Sequence, residues 1–92
     1  MIDISKAKWE LSKEEKFAVK WFEAHGFSGE LTKQFLSKTV FTVSKDGISD
    51  TMELMQGFEG INIAKYMEQY MNSFSLKREL IKLRKQAGAL TP

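Results

Sequence analysis

Apolar positions change their spacing several times along this chain, and each change marks a different kind of element. Between Ser12 and His25, Phe17, Ala18, Trp21, Phe22 and Ala24 share one arc of a helical wheel, while Lys13, Lys16, Lys20 and Glu23 hold the opposite arc. The spacing predicts an amphipathic helix over 12–25. Ser12 with Glu15 is a capping-box pair, in which each side chain satisfies an amide that the helix start leaves without a partner. Gly26 suits the left-handed backbone that ends many helices, and Phe27 is placed to fold back onto Phe22. Trp9 is placed to pack under the helix start.

From Glu30 to Leu54 the period shortens. Thr39-Val40-Phe41-Thr42-Val43 is β-branched and aromatic, Ile48 to Leu54 alternates, and Asp46-Gly47 between them is a strong hairpin signal. A two-residue loop there sets Phe41 opposite Met52, Thr39 opposite Leu54 and Val43 opposite Asp50. That register gathers the apolar sets on one face, whereas a slip by one residue would split them. A further strand near Glu30–Leu36, turning at Ser37-Lys38, is expected, with a short helical turn as the alternative. Residues 56–60, Gln-Gly-Phe-Glu-Gly, read as a loop.

Helical spacing then returns. Ile63, Tyr66, Met67, Tyr70, Met71 and Phe74 form one stripe, with Asn62 as its cap. Past Phe74 the stripe jumps, and Leu76, Leu80, Leu83 and Ala87 define a new face. Ser73 or Ser75 is placed to cap a separate helix ending near Gly88; one kinked helix is the competing reading. The expected fold is therefore α+β. An N-terminal helix comes first, then a two- or three-stranded antiparallel meander, then two C-terminal helices. All of it forms a single small domain over 1–92, with 1–8 and 89–92 as frayed ends.

Composition narrows the class. The chain is 42% hydrophobic with seven Phe, two Trp, two Tyr and five Met, enough bulk for a small core and too much for a disordered segment. Cysteine is absent, which excludes a disulfide scaffold, a thiolate metal site and a cysteine nucleophile. No apolar run approaches the ~20 residues of a membrane span. The Met1–Ser5 start lacks the basic and apolar regions of a signal peptide. A cytoplasmic protein with no membrane partner is expected.

Candidate chemistry is sparse. His25 is the sole histidine and sits at a helix end, where a structural role is expected. Ser37-Lys38 does not make a nucleophile–base pair, because neighbours on a strand point to opposite faces. The site of restriction-type nucleases needs an acid and a lysine two apart on one strand, and neither Glu30-Leu31-Thr32-Lys33 nor Asp50-Thr51-Met52-Glu53 has that spacing. Gly57-Phe58-Glu59-Gly60 lacks the lysine and hydroxyl of a phosphate-binding loop. The expectation is no enzyme, no catalytic or metal-ligating residue and no cofactor.

Charge supplies the remaining signal. The net charge is +2, yet residues 1–75 carry nine Lys/Arg against eleven Asp/Glu, while residues 76–92 carry five against one. Lys77, Arg78, Lys82, Arg84 and Lys85 are the candidate anion or nucleic-acid contacts, with Arg78, Lys82 and Lys85 on the face opposite the leucines. Leu76, Leu80 and Leu83 are the candidate helix–helix interface. The first functional expectation is a non-enzymatic accessory module binding nucleic acid or a nucleic-acid-handling protein. With twelve Lys and two Arg, any nucleic-acid binding would be weak and sequence-tolerant. The alternative is a protein–protein adaptor or homodimer built through the C-terminal helices.

Overall fold

The structure is a computed structural model that describes residues 1–7, 10–33, 38–55 and 62–90. Trp9, the turn expected around Ser37 and the loop at 56–60 lie outside the described residues. In chain order the elements are β1 (Ile2–Asp3), α1 (Lys13–Ala24), β2 (Ser28–Lys33), β3 (Lys38–Lys45), β4 (Ile48–Met55) and α2 (Ile63–Leu90). Among the described residues the strands form one mixed sheet in the order β1-β2-β3-β4, with β1 parallel to β2 and the other neighbours antiparallel.

Asp46 and Gly47 set the hairpin. Both have positive φ, 54° and 77°, the backbone of a primed two-residue turn whose twist matches the strands it joins. The register follows: Phe41 pairs with Met52, Thr39 with Leu54 and Val43 with Asp50. Alternation then buries Thr39, Phe41, Val43, Met52 and Leu54 on one face and leaves Thr42, Thr51 and Glu53 exposed on the other. β2 adds Leu31 to the buried face opposite Phe41. The strand expected from Glu30 is present, beginning two residues earlier at Ser28.

α1 starts at the capping box read from the sequence. Ser12 Oγ accepts from Glu15 N at 3.1 Å, and Glu15 Oε1 accepts from Ser12 N at 2.8 Å. Glu15 does more than cap, because it is only 5% exposed and its other carboxylate oxygen accepts from the Thr39 hydroxyl. A buried carboxylate costs several kcal/mol unless such bonds satisfy it. At the far end Phe27 N donates to Phe22 O, and the two rings meet edge-on at 5.2 Å. The buried stripe of α1 is Glu15, Ala18 and Phe22, while Phe17 turns out to be 40% exposed.

Phe22 meets the rings of Phe27, Phe41 and Tyr70 at 5.2–5.4 Å, joining α1 to β3 and α2. Met67, Tyr70 and Phe74 complete the core from α2.

Two parts of the expected architecture are corrected. The sheet is not a simple meander, because β1 precedes α1 and lies parallel beside β2. Its Ile2 is buried, and Ile2 N donates to Glu23 Oε2 of α1. Two residues are too short to show a strand period, so the pattern carried no sign of β1. The two C-terminal helices are one, Asn62-capped and continuous from Ile63 to Leu90. Residues 63–87 contain neither Gly nor Pro, so nothing in the backbone breaks at the jump of the stripe. The jump marks where the outward face of the helix changes from polar to apolar.

β4 is an edge strand, and α2 guards it. Tyr66 Oη donates to Glu53 O at 2.8 Å and Lys77 Nζ to Ser49 O at 3.1 Å. Residues 49 and 53 belong to the set whose carbonyls point away from β3 in this register.

Two glycines make separable demands. A Cβ on Gly47 would meet nothing within 4 Å, so only its φ resists substitution. A Cβ on Gly29, at φ 148°, would lie 2.0 Å from Thr42 O. Gly47→Ala is expected to cost about 1 kcal/mol and Gly29→Ala at least about 3 kcal/mol, measured by urea denaturation.

Candidate interaction surface on the C-terminal helix

α2 is one continuous helix whose two halves lie in different surroundings. Its first half lays Met67, Tyr70 and Phe74 on the sheet, with Ile63, Tyr66 and Met71 packed at the margin. Its outward face there is polar and exposed: Lys65, Gln69, Asn72 and Ser73. From Leu76 the same outward face becomes apolar and stays exposed, at 64% for Leu76, 48% for Leu80 and 58% for Leu83. Among the described residues Ile81 is the last packed on the core, and residues 82–87 are all exposed. The helix has outrun its domain.

The crossover point is tied down by charge. Lys77 Nζ donates to Asp50 Oδ1 at 3.1 Å, and Tyr70 Oη donates to Asp50 Oδ2 at 3.0 Å. Arg78 Nη1 pairs with Asp46 Oδ2 of the hairpin turn, also at 3.0 Å. These pairs are partly exposed, so each contributes little alone, about 0–1 kcal/mol. Their effect is positional: they attach the middle of α2 to the hairpin turn and the start of β4.

Of the five candidate anion contacts, the structure therefore engages two internally. Lys77 and Arg78 neutralise Asp50 and Asp46, leaving Lys82, Arg84 and Lys85 without an ion pair among the described residues. Arg78, Lys82 and Lys85 do share a face, as the wheel implied. That face overhangs the hairpin and, with Asp46, Ile48 and Ser49 opposite, lines an open groove of about 780 Å³. Arg84 lies outside this groove lining, and the three leucines face elsewhere. The Nε of Arg78 is buried with no hydrogen-bond partner.

Asp50 and Asp46 were not singled out by sequence reasoning as anchors. Asp50 had a visible signal, because the hairpin register placed it opposite Val43 on the buried face, where a lone carboxylate needs a partner. Asp46 read only as a turn residue. His25 is exposed, stacked on the Trp21 ring at 3.9 Å, and its Nδ1 donates to Trp21 O at 2.8 Å. Glu30 pairs with Lys6 at 2.7 Å, and Glu53 with Lys38 at 3.2 Å. Among the described residues no three of His, Asp and Glu converge as metal ligands, and no helix is long and apolar enough to cross a membrane.

No protein-family model matches the chain, and no curated protein or solved structure shows significant similarity to it.

Burial, followed by the hydrogen bond to Asp50 and its charge, holds the Tyr70 phenol well above the usual tyrosine range. Burial and nearby Glu53 also raise Tyr66. The folded protein thus keeps the Tyr70 proton more tightly than the unfolded chain. This contribution is fully present below the unfolded value of about 10 and is lost as pH rises beyond it. Tyr70→Phe should lower stability near neutral pH by about 1 kcal/mol, the worth of one hydrogen bond. It should also flatten the decline between about pH 10 and 12 relative to wild type. Urea midpoints across that range read both effects.

Proposed function

We propose that the chain is a non-enzymatic binding module that docks another protein on the outward face of the projecting half of α2. One observation carries this reading. Leu76, Leu80 and Leu83 stand in line on a helix face that no described residue covers. Single exposed leucines are ordinary, but three in register at the end of a face otherwise made of Lys, Gln, Asn and Ser are a contiguous apolar strip. The helix also continues past Ile81 through residues 82–87, all of them exposed. An unsupported helical extension of this length is marginal in water, and an occupant on the strip would stabilise it.

A nucleic-acid target is the second reading, and it rests on Lys82, Arg84 and Lys85, which have no ion pair among the described residues. Three lysine or arginine contacts would give a log–log salt slope of about −3. The internal pairing of Lys77 and Arg78 shrinks the patch that this reading first assumed, so the protein reading leads.

The two are separated by photo-cross-linking in cells that produce the protein, with a benzophenone amino acid at position 80 or at position 82. The expected result is a protease-sensitive, nuclease-resistant adduct from position 80, lost when Leu76 and Leu83 are both changed to Asp. Those changes should leave stability within about 0.5 kcal/mol of wild type, because both side chains are exposed. An adduct from position 82 that nuclease removes, with none from position 80, would replace the protein reading with the nucleic-acid one.

A further inference from the structure

The leucine strip has the spacing of a two-helix seam. Leu76, Leu80, Leu83 and Ala87 are separated by four, three and four residues. Alternating threes and fours average 3.5 residues, the repeat that keeps one stripe of a helix facing a partner helix along its length. At about 100° per residue the strip lies roughly 145° round α2 from the Met67–Tyr70–Phe74 stripe. A partner helix on the strip would therefore lie clear of the sheet that α2 covers. Upstream, the same two seam positions are Gln69 and Ser73, both exposed and polar, so the seam begins at Leu76 and belongs to the projecting half alone.

The residues flanking the strip say what occupies it. Glu79 borders it on one side and Arg84 on the other, five residues later. In two parallel, in-register helices, that is the separation at which a flanking residue of one chain meets a flanking residue of its partner. Two copies placed so would form two Glu79–Arg84 pairs across the seam. An antiparallel arrangement instead sets Lys77 against Arg84 twice and Glu79 against the uncharged Gln86. The single acid of the segment 76–92 thus sits where only the parallel arrangement uses it. Lys82 and Lys85 point away from the seam, over the groove beside the hairpin. Two like-charged chains can therefore approach without bringing those cations face to face.

We infer that the occupant of the strip is a second copy of this chain, its α2 parallel and in register, forming a short two-helix coiled coil. This rests on the docking reading above and names its partner. The seam is only about two heptads long, so association is weak and depends on concentration.

Sedimentation equilibrium on the purified full chain tests it. The apparent mass should climb from 10.6 kDa towards twice that value with concentration. The useful range runs from about 10 μM to about 1 mM, where a seam this short is expected to associate. Leu80→Asp should stay monomeric throughout with an unchanged far-ultraviolet spectrum. Glu79→Arg and Arg84→Glu should each dimerise at least about tenfold more weakly than wild type, from two like-charge contacts apiece. An equimolar mixture of those two variants should recover wild-type association, because each chain then offers the other an opposite charge at both contacts. A wild type that remains monomeric at about 1 mM overturns the inference. So does a mixture that fails to recover, since it removes the parallel register. If a monomeric wild type still yields a protein adduct from position 80 in cells, the docking reading survives with a different partner. If position 80 yields none, both fall.

Discussion

Phe22 is the side chain on which the rest of the arrangement depends. It is fully buried, and its ring touches the ring that closes its own helix, the ring at the centre of β3 and the ring of Tyr70 in α2. A sheet of this size with one polar face has a single apolar side to cover, and two helices must share it. An aromatic at the junction fills the space that both leave and fixes their spacing from the strands. Glu15 gives the other end of α1 a second fixed point, bonded to Thr39 from inside the core. With α1 held at both ends, the place left for α2 is determined, and its length decides how much of it projects.

That length accounts for the division of labour along α2. Over the sheet, the helix reads as an ordinary core element, apolar inward and polar outward. Beyond the sheet, the inward side becomes cationic and the outward side becomes leucine, so the two faces exchange character without any break in the backbone. Lys77 and Arg78 mark the exchange, each reaching down to an aspartate of the hairpin. The basic balance of the C-terminal segment is thus partly an internal matter. Two of its five cations answer the acidic excess of the preceding residues rather than the solvent.

Much of this was legible in the sequence where the signal was local. Ser12 and Glu15, Phe27 after Gly26, and the Asp46-Gly47 register each depend on residues close along the chain, and each appears as read. The face of α2 over 63–74 follows from periodicity alone. What escaped was non-local. Ile2 and Asp3 become a strand only because Gly29 and Glu30 lie beside them. Glu15 is a core residue only because Thr39 arrives above it. The supposed boundary near Ser73–Ser75 failed for a different reason. A shift in hydrophobic stripe reports a change of neighbours, and it was read as a change of backbone. For the interaction surface, the residues were identifiable and their exposure was not, since periodicity cannot tell a covered apolar stripe from a bare one.

The grip of α2 on β4 also bears on how this chain fails. A strand of eight residues at a sheet edge is a template on which misfolded or identical chains can stack into fibrils. Here two of its outward carbonyls, on Ser49 and Glu53, are occupied by a lysine and a tyrosine from the helix above. An incoming strand would have to displace both before it could pair in a continuous ladder. The helix that carries the exposed leucines thus also occupies the open edge of the sheet, so one element governs both of the chain's unpaired surfaces among the described residues.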